Sequence, residues 1–234
     1  MLQIDKLVSG YGSDPILRGV TFNVPDRSVV AVLGHNGAGK SSLVRALIGL
    51  ISVWEGSISF DGADLSRASS QRRVLAGIAV SFQDEAVFPT LSVETNLRLG
   101  AFTRRSNPAW VNERAEHVLS LFPKLRDLLL QPAFTLSGGE RRMLSIGMAL
   151  MSDPKLLVLD EPSTGLSPSM TEFVFETIVN IRDKLGKSVL LVEQNVQQAL
   201  ACADKAVVLK TGTVIFDGVP DAITSDTTEL VSMF

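Results

Sequence analysis

The amino-acid sequence predicts an α/β fold with a mainly parallel β-sheet, into which an α-helical subdomain is inserted. Four uninterrupted apolar runs have the length of strands buried on both faces of a parallel sheet: Val29–Leu33, Leu156–Leu159, Val189–Val192 and Ala206–Leu209. Strand and helix patterns alternate after the second of these runs, whereas helical patterns fill the stretch from Ser92 to Met151. We therefore expect a single domain, 1–234, with a core formed by 1–84 and 155–234 and a helical subdomain at 85–154.

The N-terminal part of the chain indicates a small antiparallel β subdomain. Half-buried strand patterns occur at Gln3–Val8, Val20–Val24 and Ser57–Phe60. Turn signals at Pro25-Asp26 and Asp61-Gly62 separate these strands from the next elements of the chain.

The remaining elements are predicted from hydrophobic periodicity and from turn residues. Helices are predicted at Lys40–Leu50, Val93–Phe102, Asn112–Leu121, Arg141–Met151, Met170–Leu185 and Val196–Cys202. A further strand is predicted at Ile78–Phe82, and a closing hairpin pairs Ala206–Lys210 with Val214–Asp217 through Thr211-Gly212.

Composition narrows the classes of protein to consider. The chain has 234 residues, a hydrophobic fraction of 45% and a formal net charge of −3. No basic block is present, which argues against nucleic acid as a partner. No apolar run approaches the roughly 18–20 residues of a membrane span, and no signal-peptide pattern is visible. The single cysteine, Cys202, precludes an internal disulfide and is expected to be a buried helical residue.

A phosphate-binding loop is indicated by residues 34–41, which fit the pattern G-x-x-x-x-G-K-S between an apolar strand and a helix. Backbone N–H groups of such a loop surround the β-phosphate, Lys40 neutralises phosphate oxygens, and the Ser41 hydroxyl is placed to ligate Mg²⁺. This predicts a P-loop NTPase core. The residues predicted to hold the nucleotide here are Gly34, Asn36, Gly37, Ala38, Gly39, Lys40, Ser41 and Ser42.

Two adjacent carboxylates close the apolar run that begins at Leu156. Asp160 is predicted to hold Mg²⁺, and Glu161 to polarise the attacking water as the general base.

A second anion-binding device stands about a hundred residues after the phosphate loop. Residues 136–140 read Leu-Ser-Gly-Gly-Glu and precede a strong helix-forming run. The N–H groups at a helix start attract anions, the two glycines permit close approach, and the serine supplies a hydroxyl donor.

The order of phosphate loop, Leu-Ser-Gly-Gly-Glu and an apolar strand ending in Asp-Glu-Pro resembles the ATP-binding-cassette (ABC) ATPase family over essentially the whole chain. This resemblance implies ATP and Mg²⁺ as cofactors. In that family the signature segment caps the γ-phosphate of ATP held by a second cassette. It therefore implies that Ser137, Gly138 and Gly139 serve the site of a partner cassette, with two ATP molecules between the two chains.

The resemblance also implies roles for individual residues of this chain. Tyr11 resembles the aromatic residue that stacks on adenine, and Gln83 the glutamine that senses Mg²⁺ and the attacking water. In that family, the segment after Gln83 faces the transmembrane permease. Phe88 and Pro89 are therefore expected to line a groove for a helix of the permease. The alternative is a loop that buries Phe88 against the chain's own helices. The resemblance also implies a peripheral location at the cytoplasmic face of the membrane.

Three positions depart from the usual family pattern. Gln194 stands where a catalytic histidine contacts the γ-phosphate, Ser167 where many cassettes have aspartate, and Met148 where the signature helix often has arginine. Glutamine can donate a hydrogen bond but cannot take up a proton. The Glu-Gln-Asn and Gly-Leu-x-Pro variants are similar to ATPases of branched-chain amino acid importers and their amide or urea relatives, which pair two different ATPase chains.

The sequence therefore predicts the ATP-hydrolysing motor subunit of an ABC importer, with catalytic residues Glu161, Gln83 and Gln194. Its expected partners are a second ABC ATPase subunit, either a different chain or a second copy, the permease subunits and, indirectly, a solute-binding protein. One alternative is an ABC ATPase of DNA repair or translation, although the coiled-coil, zinc or basic inserts of those proteins are not visible. Another is a switch that binds ATP and barely hydrolyses it, as the departures at Gln194, Ser167 and Met148 suggest.

Overall fold

The computed structural model describes residues 1–83 and 87–224 of the chain. Its strands are β1 (Leu2–Tyr11), β2 (Asp14–Val24), β3 (Val29–Leu33), β4 (Val53–Phe60), β5 (Ala63–Asp64), β6 (Ile78–Ser81), β7 (Leu156–Asp160), β8 (Ser188–Glu193), β9 (Lys205–Lys210) and β10 (Thr213–Gly218). Its α-helices are α1 (Lys40–Leu47), α2 (Ser70–Ala76), α3 (Val93–Gly100), α4 (Pro108–Leu121), α5 (Pro123–Arg126), α6 (Gly138–Leu150), α7 (Pro168–Asp183), α8 (Val196–Cys202) and α9 (Pro220–Thr224).

The strands form two sheets. The larger has six strands in the order β10-β9-β3-β8-β7-β6, and all its pairs are parallel except the edge pair β9–β10. The smaller is antiparallel, in the order β2-β1-β4-β5. The fold class is therefore the predicted one, with a mainly parallel core and an N-terminal antiparallel unit.

The apolar run of β3 is continuous because the strand serves two hydrophobic cores. Val29, Ala31 and Leu33 face one core, shared with the helices that come after β6 and β7. Val30 and Val32 face the other, which lies between the large sheet, the small sheet and α1. Every residue of this strand is buried, as expected for a parallel sheet covered on both faces.

Most predicted elements are confirmed, with ends that differ by a few residues. Helix α2 is not predicted by the sequence analysis, because it is short and carries too few apolar residues to show a helical period. The structural role of α2 follows from its contacts in the folded chain. The Arg73 guanidinium donates to the carbonyls of Ala46 and Leu47, 2.7 and 2.6 Å away, and so satisfies the end of α1.

The start of α6 corrects the sequence analysis. The helix begins at Gly138 and not at Arg141, since Ser137 caps it and both glycines belong to its first turn. Among the described residues, no helix combines the length and the apolar character needed to cross a membrane.

The helical subdomain at 85–154 stays a prediction. Its first two residues lie outside the described part of the chain, as do Asp84 at the end of the predicted core segment and the last ten residues. Within the described part, α3 and α6 approach closely. A Cβ at Gly100 would lie 2.1 Å from the carbonyl oxygen of Met148, so that a larger residue there would push the helices apart.

Candidate nucleotide site

The phosphate loop connects β3 to α1, and glycine is needed at both its ends. A Cβ on Gly34 would lie 2.4 Å from the carbonyl oxygen of Leu209. Gly39 is the N-cap of α1 with φ of 105°, a left-handed conformation that other residues rarely adopt. The loop therefore turns directly from the end of a buried strand into a helix start, where free N–H groups favour an anion.

Lys40 is held beneath this loop. Its side chain is 4% exposed, and Nζ donates to the carbonyl oxygens of Gly34 and His35 at 2.7 and 3.2 Å. Nζ also lies 3.4 Å from Oε1 of Glu161. The Lys40 ammonium is therefore buried directly at the loop, where it can form an ion pair with a negatively charged ligand.

A cavity of about 580 Å³ opens beside the loop. Ten of the residues predicted to act on the nucleotide line it: Tyr11, Asn36, Gly37, Gly39, Lys40, Ser41, Ser42, Gln83, Glu161 and Gln194. Gly34 and Ala38 complete the loop and are buried behind this surface. The fold thus gathers residues from five separate segments of the chain.

Tyr11 forms one wall of the cavity from the end of β1. Tyr11 is 44% exposed, and its hydroxyl accepts a hydrogen bond of 2.9 Å from Nη1 of Arg45 on α1. An exposed tyrosine with a fixed hydroxyl suits a flat aromatic ligand, since stacking requires an oriented ring.

The two carboxylates at the end of β7 differ in environment. Asp160 is 5% exposed, and within the described part of the chain its Oδ1 has no hydrogen-bond partner. Burial, together with the neighbouring charge of Glu161, raises the pKa of the Asp160 carboxyl to about 6. An orphaned buried carboxylate oxygen is costly, and a cation would relieve it. The carboxylate of Asp160, the hydroxyl of Ser41 and the amide of Gln83 are oxygen donors of the kind that Mg²⁺ prefers, so this donor set fits the ion.

Glu161 is held from three directions. Besides Lys40, Nε2 of Gln194 donates to its Oε1 at 2.7 Å, and the hydroxyl of Thr164 donates to its Oε2 at 3.4 Å. Its backbone has a φ of 46°, and its N–H donates to the carbonyl of Val192 at 2.8 Å. The left-handed turn directs the side chain into the cavity, where its carboxylate can accept a proton from a water molecule.

Glu193 is a residue of this site that the sequence analysis missed. It ends β8, is 1% exposed, and accepts three backbone hydrogen bonds. They come from Ser163 at 2.9 Å to Oε1, and from Gln194 and Asn195 at 2.9 and 3.2 Å to Oε2. One carboxylate thus joins the turn after Glu161 to the turn that carries Gln194. The sequence contains one signal for Glu193, because Glu193, like Asp160, is an acidic residue at the end of a buried strand.

We expect the substitution Glu193→Gln to lower the free energy of unfolding by about 1–3 kcal/mol, because the amide nitrogen would face a backbone N–H and leave it unpaired. Urea denaturation of the purified chain measures this. Glu113→Gln, on an exposed position of α4, is the matched control. Equal stability of the two variants would contradict the role of Glu193 in joining the turns.

The signature segment does not line this cavity, although Gly138 lines a second cavity together with Gln83 and Thr164, which line both. Ser137 caps α6 by accepting from the Glu140 N–H at 3.3 Å, while the Glu140 carboxylate accepts from the Ser137 N–H at 2.8 Å. A Cβ added to Gly138 would meet nothing within 4 Å, whereas one on Gly139 would lie 2.9 Å from Cε of Met170. Ser137 and Gly138 are exposed. The start of α6 is therefore accessible at the surface of the chain.

Comparison with known proteins decides the family. The family model described as ABC transporter matches residues 17–164. The chain belongs to the ABC transporter family.

Curated relatives and solved structures agree with this. The chain is 40% identical over 218 residues to a probable branched-chain amino acid transport ATP-binding protein, LivF, of Archaeoglobus fulgidus, covering 93% of this chain and 92% of the relative. It is 43% identical over 215 residues to the high-affinity branched-chain amino acid transport ATP-binding protein BraG of Pseudomonas aeruginosa, covering 92% and 91%. The crystal structure of a nucleotide-free ATP-binding cassette from an ABC transporter superposes with a TM-score of 0.88 at 26% identity, covering 100% of this chain and 98% of the other.

As an ABC ATPase, the chain binds ATP, and its hydrolysis is coupled to transport. The positions where this ABC ATPase departs from the usual pattern have local structural roles. Ser167 is the N-cap of α7, with its hydroxyl 3.3 Å from that of Ser169. Met148 is partly buried and packs against the core of the helices.

Residues 88–90 of this ABC ATPase, shortly before α3, are exposed. The side chain of Phe88 is 52% exposed, so the alternative in which it is buried against the chain's own helices is wrong. Its backbone is fixed by Asn96, whose amide accepts from the Phe88 N–H at 2.7 Å and donates to its carbonyl at 3.0 Å. Next to it, Val87, Pro89 and Phe134 line a second cavity, of about 460 Å³.

Proposed function

We propose that the chain is the ATP-hydrolysing motor subunit of an importer for branched-chain amino acids or a related small polar solute such as an amide or urea. The observation that carries this is the identity of 40–43% to two branched-chain amino acid transport ATP-binding proteins, each aligned over more than 90% of both chains. Since the whole length aligns, the likeness extends beyond the shared phosphate loop. Neither relative supports the alternative of a DNA-repair or translation ATPase.

At its own site, the loop residues and Lys40 would bind the ATP phosphates, with Tyr11 against the adenine. Ser41, Asp160 and Gln83 would hold Mg²⁺, which supplies charge neutralisation at the phosphates when bound. Glu161 would accept the proton of the attacking water, and Gln194 would keep the Glu161 carboxylate oriented. Support comes from the 2.7 Å contact between Gln194 and Glu161 and from the orphaned oxygen of Asp160.

Ser137, Gly138 and Gly139 would act on a second ABC ATPase subunit. The proposal is supported by the exposure of the helix start and by its absence from the residues that line the cavity beside the phosphate loop. Helix N–H groups and the helix dipole would there provide the positive potential that favours the transition state. We propose a related but different chain as this partner, because the Glu-Gln-Asn and Gly-Leu-x-Pro variants are similar to importer ATPases that pair two different chains.

The second cavity would receive the permease. It lies beside the exposed Phe88, and at one end Val87, Pro89 and Phe134 offer apolar contacts to a short helix of a membrane protein. Gly138 of the signature segment lines the same cavity. Docked in this way, the cassette would lie at the cytoplasmic face of the membrane. A solute-binding protein would act on the other side of the permease.

Uptake measurements test the proposed function. In cells that lack this chain, we expect import of radiolabelled leucine, isoleucine and valine to fall to background. The wild-type chain should restore it, whereas a Lys40→Ala variant should not, because it lacks the phosphate-binding ammonium. Unchanged uptake of these amino acids in the deficient cells, together with loss of amide or urea uptake, would move the solute to the amide class. Unchanged uptake of all of them would refute the importer.

A further inference from the structure

The hairpin that joins β1 to β2 carries Tyr11 at its tip, where the strand pairing is irregular. The register shifts between Ser9 and Gly10, and Pro15, which lies opposite Gly10, has no N–H to donate to the ladder. Residues 11–15 are all exposed, so the hydrophobic core does not fix them either. Contacts of its own side chain are therefore needed to give Tyr11 one orientation.

The base of the same hairpin is bonded to the phosphate loop. In the turn between β9 and β10, the N–H of Gly212 donates to the carbonyl of Ala38 at 2.9 Å, and the carbonyl of Gly212 accepts from the Arg18 N–H at 2.8 Å. A Cβ on Gly39 would lie 3.2 Å from Cδ2 of Leu17, so the loop and β2 are also in close contact. The base of the hairpin is thus fixed relative to the phosphate site, and the tip extends beyond it.

Arg45 holds the tip against α1. Its Nη1 donates to the Tyr11 hydroxyl at 2.9 Å. Ser42 lies one turn before Arg45, on the same face of the helix. Burial by itself raises the pKa of Tyr11, but hydrogen bonds with Arg45 and Ser42 outweigh it and bring the pKa below its usual value. The helix that begins at Lys40 therefore supports the aromatic ring as well as the phosphate loop.

We propose that Arg45 is a positioning residue that holds the Tyr11 ring in the orientation that stacks on the base of ATP. This inference rests on the proposed function, which places Tyr11 against the adenine. A ring that is already oriented loses less conformational freedom when the nucleotide binds, and this raises affinity. Arg45 would act on the base through Tyr11 and not on the phosphates.

A different role for Arg45 would be attraction of the phosphates by its charge. Two ligands separate these roles, namely ATP and inorganic tripolyphosphate, which has no base. If Arg45 positions Tyr11, its loss should weaken binding of ATP and leave binding of tripolyphosphate unchanged. If Arg45 acts by its charge, both ligands should bind more weakly.

The experiment titrates both ligands into the isolated chain for Arg45→Met, Tyr11→Phe and the double variant. Methionine keeps an apolar stem without donors, and phenylalanine keeps the ring without the hydroxyl. We expect each single variant to weaken ATP binding about 3- to 10-fold, the range for one hydrogen bond, and the double variant to be no weaker than either. In the assembled transporter, KM for ATP should rise while kcat stays unchanged. Arg72→Met, on an exposed position of α2, is the matched control.

A spectroscopic measurement tests the contact itself. Tyr11 is the only tyrosine of the chain, so the ultraviolet absorbance of tyrosinate reports Tyr11 alone. In Arg45→Met, the midpoint of the alkaline titration should move to higher pH, because the donor that favours the ionised hydroxyl is lost. The control Arg72→Met should keep the wild-type midpoint. Circular dichroism at each pH verifies that the chain stays folded.

Equal weakening of ATP and tripolyphosphate in Arg45→Met would overturn the proposal, as would multiplicative losses in the double variant or an unchanged tyrosinate midpoint. If Arg45→Met does not fold, Tyr11→Phe removes the same hydrogen bond and carries the ligand comparison. Tyr11→Ala separates this inference from the proposed function. Wild-type ATP affinity in Tyr11→Ala would refute the placement of Tyr11 at the adenine. Weakened binding in Tyr11→Ala with wild-type affinity in Arg45→Met would overturn the role of Arg45 alone.

Discussion

Replacing Glu161 with glutamine should lower ATP turnover by the assembled transporter about 10²- to 10⁴-fold, the contribution typical of a positioned general base. The substitution keeps the size of the side chain and its contacts with Thr164 and Gln194 in outline, but an amide cannot accept the proton of the attacking water. Binding of ATP should remain, because the phosphate loop and Lys40 are unchanged. We expect the variant to accumulate as an ATP-bound assembly that does not turn over.

Single-turnover and steady-state assays with radiolabelled ATP, together with a binding titration, measure this. Glu172→Gln, on an exposed position of α7, is the matched control and should keep wild-type activity. Undiminished turnover in Glu161→Gln would remove Glu161 as the base. Background turnover already in the wild-type assembly would favour the alternative of a switch that binds ATP and barely hydrolyses it.

A carboxylate introduced at Gly138 should strongly lower ATP turnover, because Gly138 is proposed to face the ATP that a partner chain holds. In Gly138→Asp, the new Cβ meets nothing within 4 Å, so the chain itself has room for it. An acidic residue in the first turn of a helix is also favourable for the helix dipole, and replacement of glycine raises helix propensity. Folding should therefore be kept or improved, while the negative charge would repel the phosphate of a partner's ATP. We expect a loss of about 10²- to 10³-fold in kcat, comparable to loss of one donor at an oxyanion site.

The decisive readout is the contrast between the isolated chain and the assembly. The isolated Gly138→Asp chain should bind ATP as the wild type does, and only the assembled transporter should lose activity. Gln131→Glu adds the same charge at an exposed position nearby and serves as the control. Loss of ATP affinity in the isolated chain would place the signature segment at its own nucleotide and contradict the proposed two-chain site.

The elements predicted from the sequence are those whose signals are local. β3 and α8 have the predicted bounds because a buried strand and a capped helix are each specified by contiguous residues. The start of α6 differs from the prediction, although Ser137 and Glu140 have the spacing of a capping box, because glycine has a low helix propensity and its helical state depends on the cap. Helix α2 was missed since its one buried residue, Arg73, is polar, and its burial depends on carbonyl partners from α1.

The residues of the candidate site likewise fall into those that a local sequence pattern predicts and those that it does not. The phosphate loop could be predicted, since its residues are adjacent and their chemistry depends on their spacing. Glu193 could be noticed as an acidic residue at the end of a buried strand, but its bond with the Ser163 N–H could not be predicted, because Ser163 lies in a segment far away in the chain. Nothing in a single sequence shows which distant carbonyl or N–H group a buried charge will meet.

The sequence by itself predicts the phosphate loop, the paired carboxylates and the signature segment before a helix, because each is a local pattern of contiguous residues. The assembly of these parts depends on the parallel sheet. Strands β3, β6, β7 and β8 run in one direction, so that their carboxyl ends bring the loop, Gln83, Glu161 and Gln194 to one edge. Ser137 and Gly138 at the start of the signature helix stay exposed and do not line this cavity, although the rest of α6 is largely buried. The long-range pairing of strands and helices therefore places the phosphate loop inside the chain's own site and leaves the start of the signature helix at the surface.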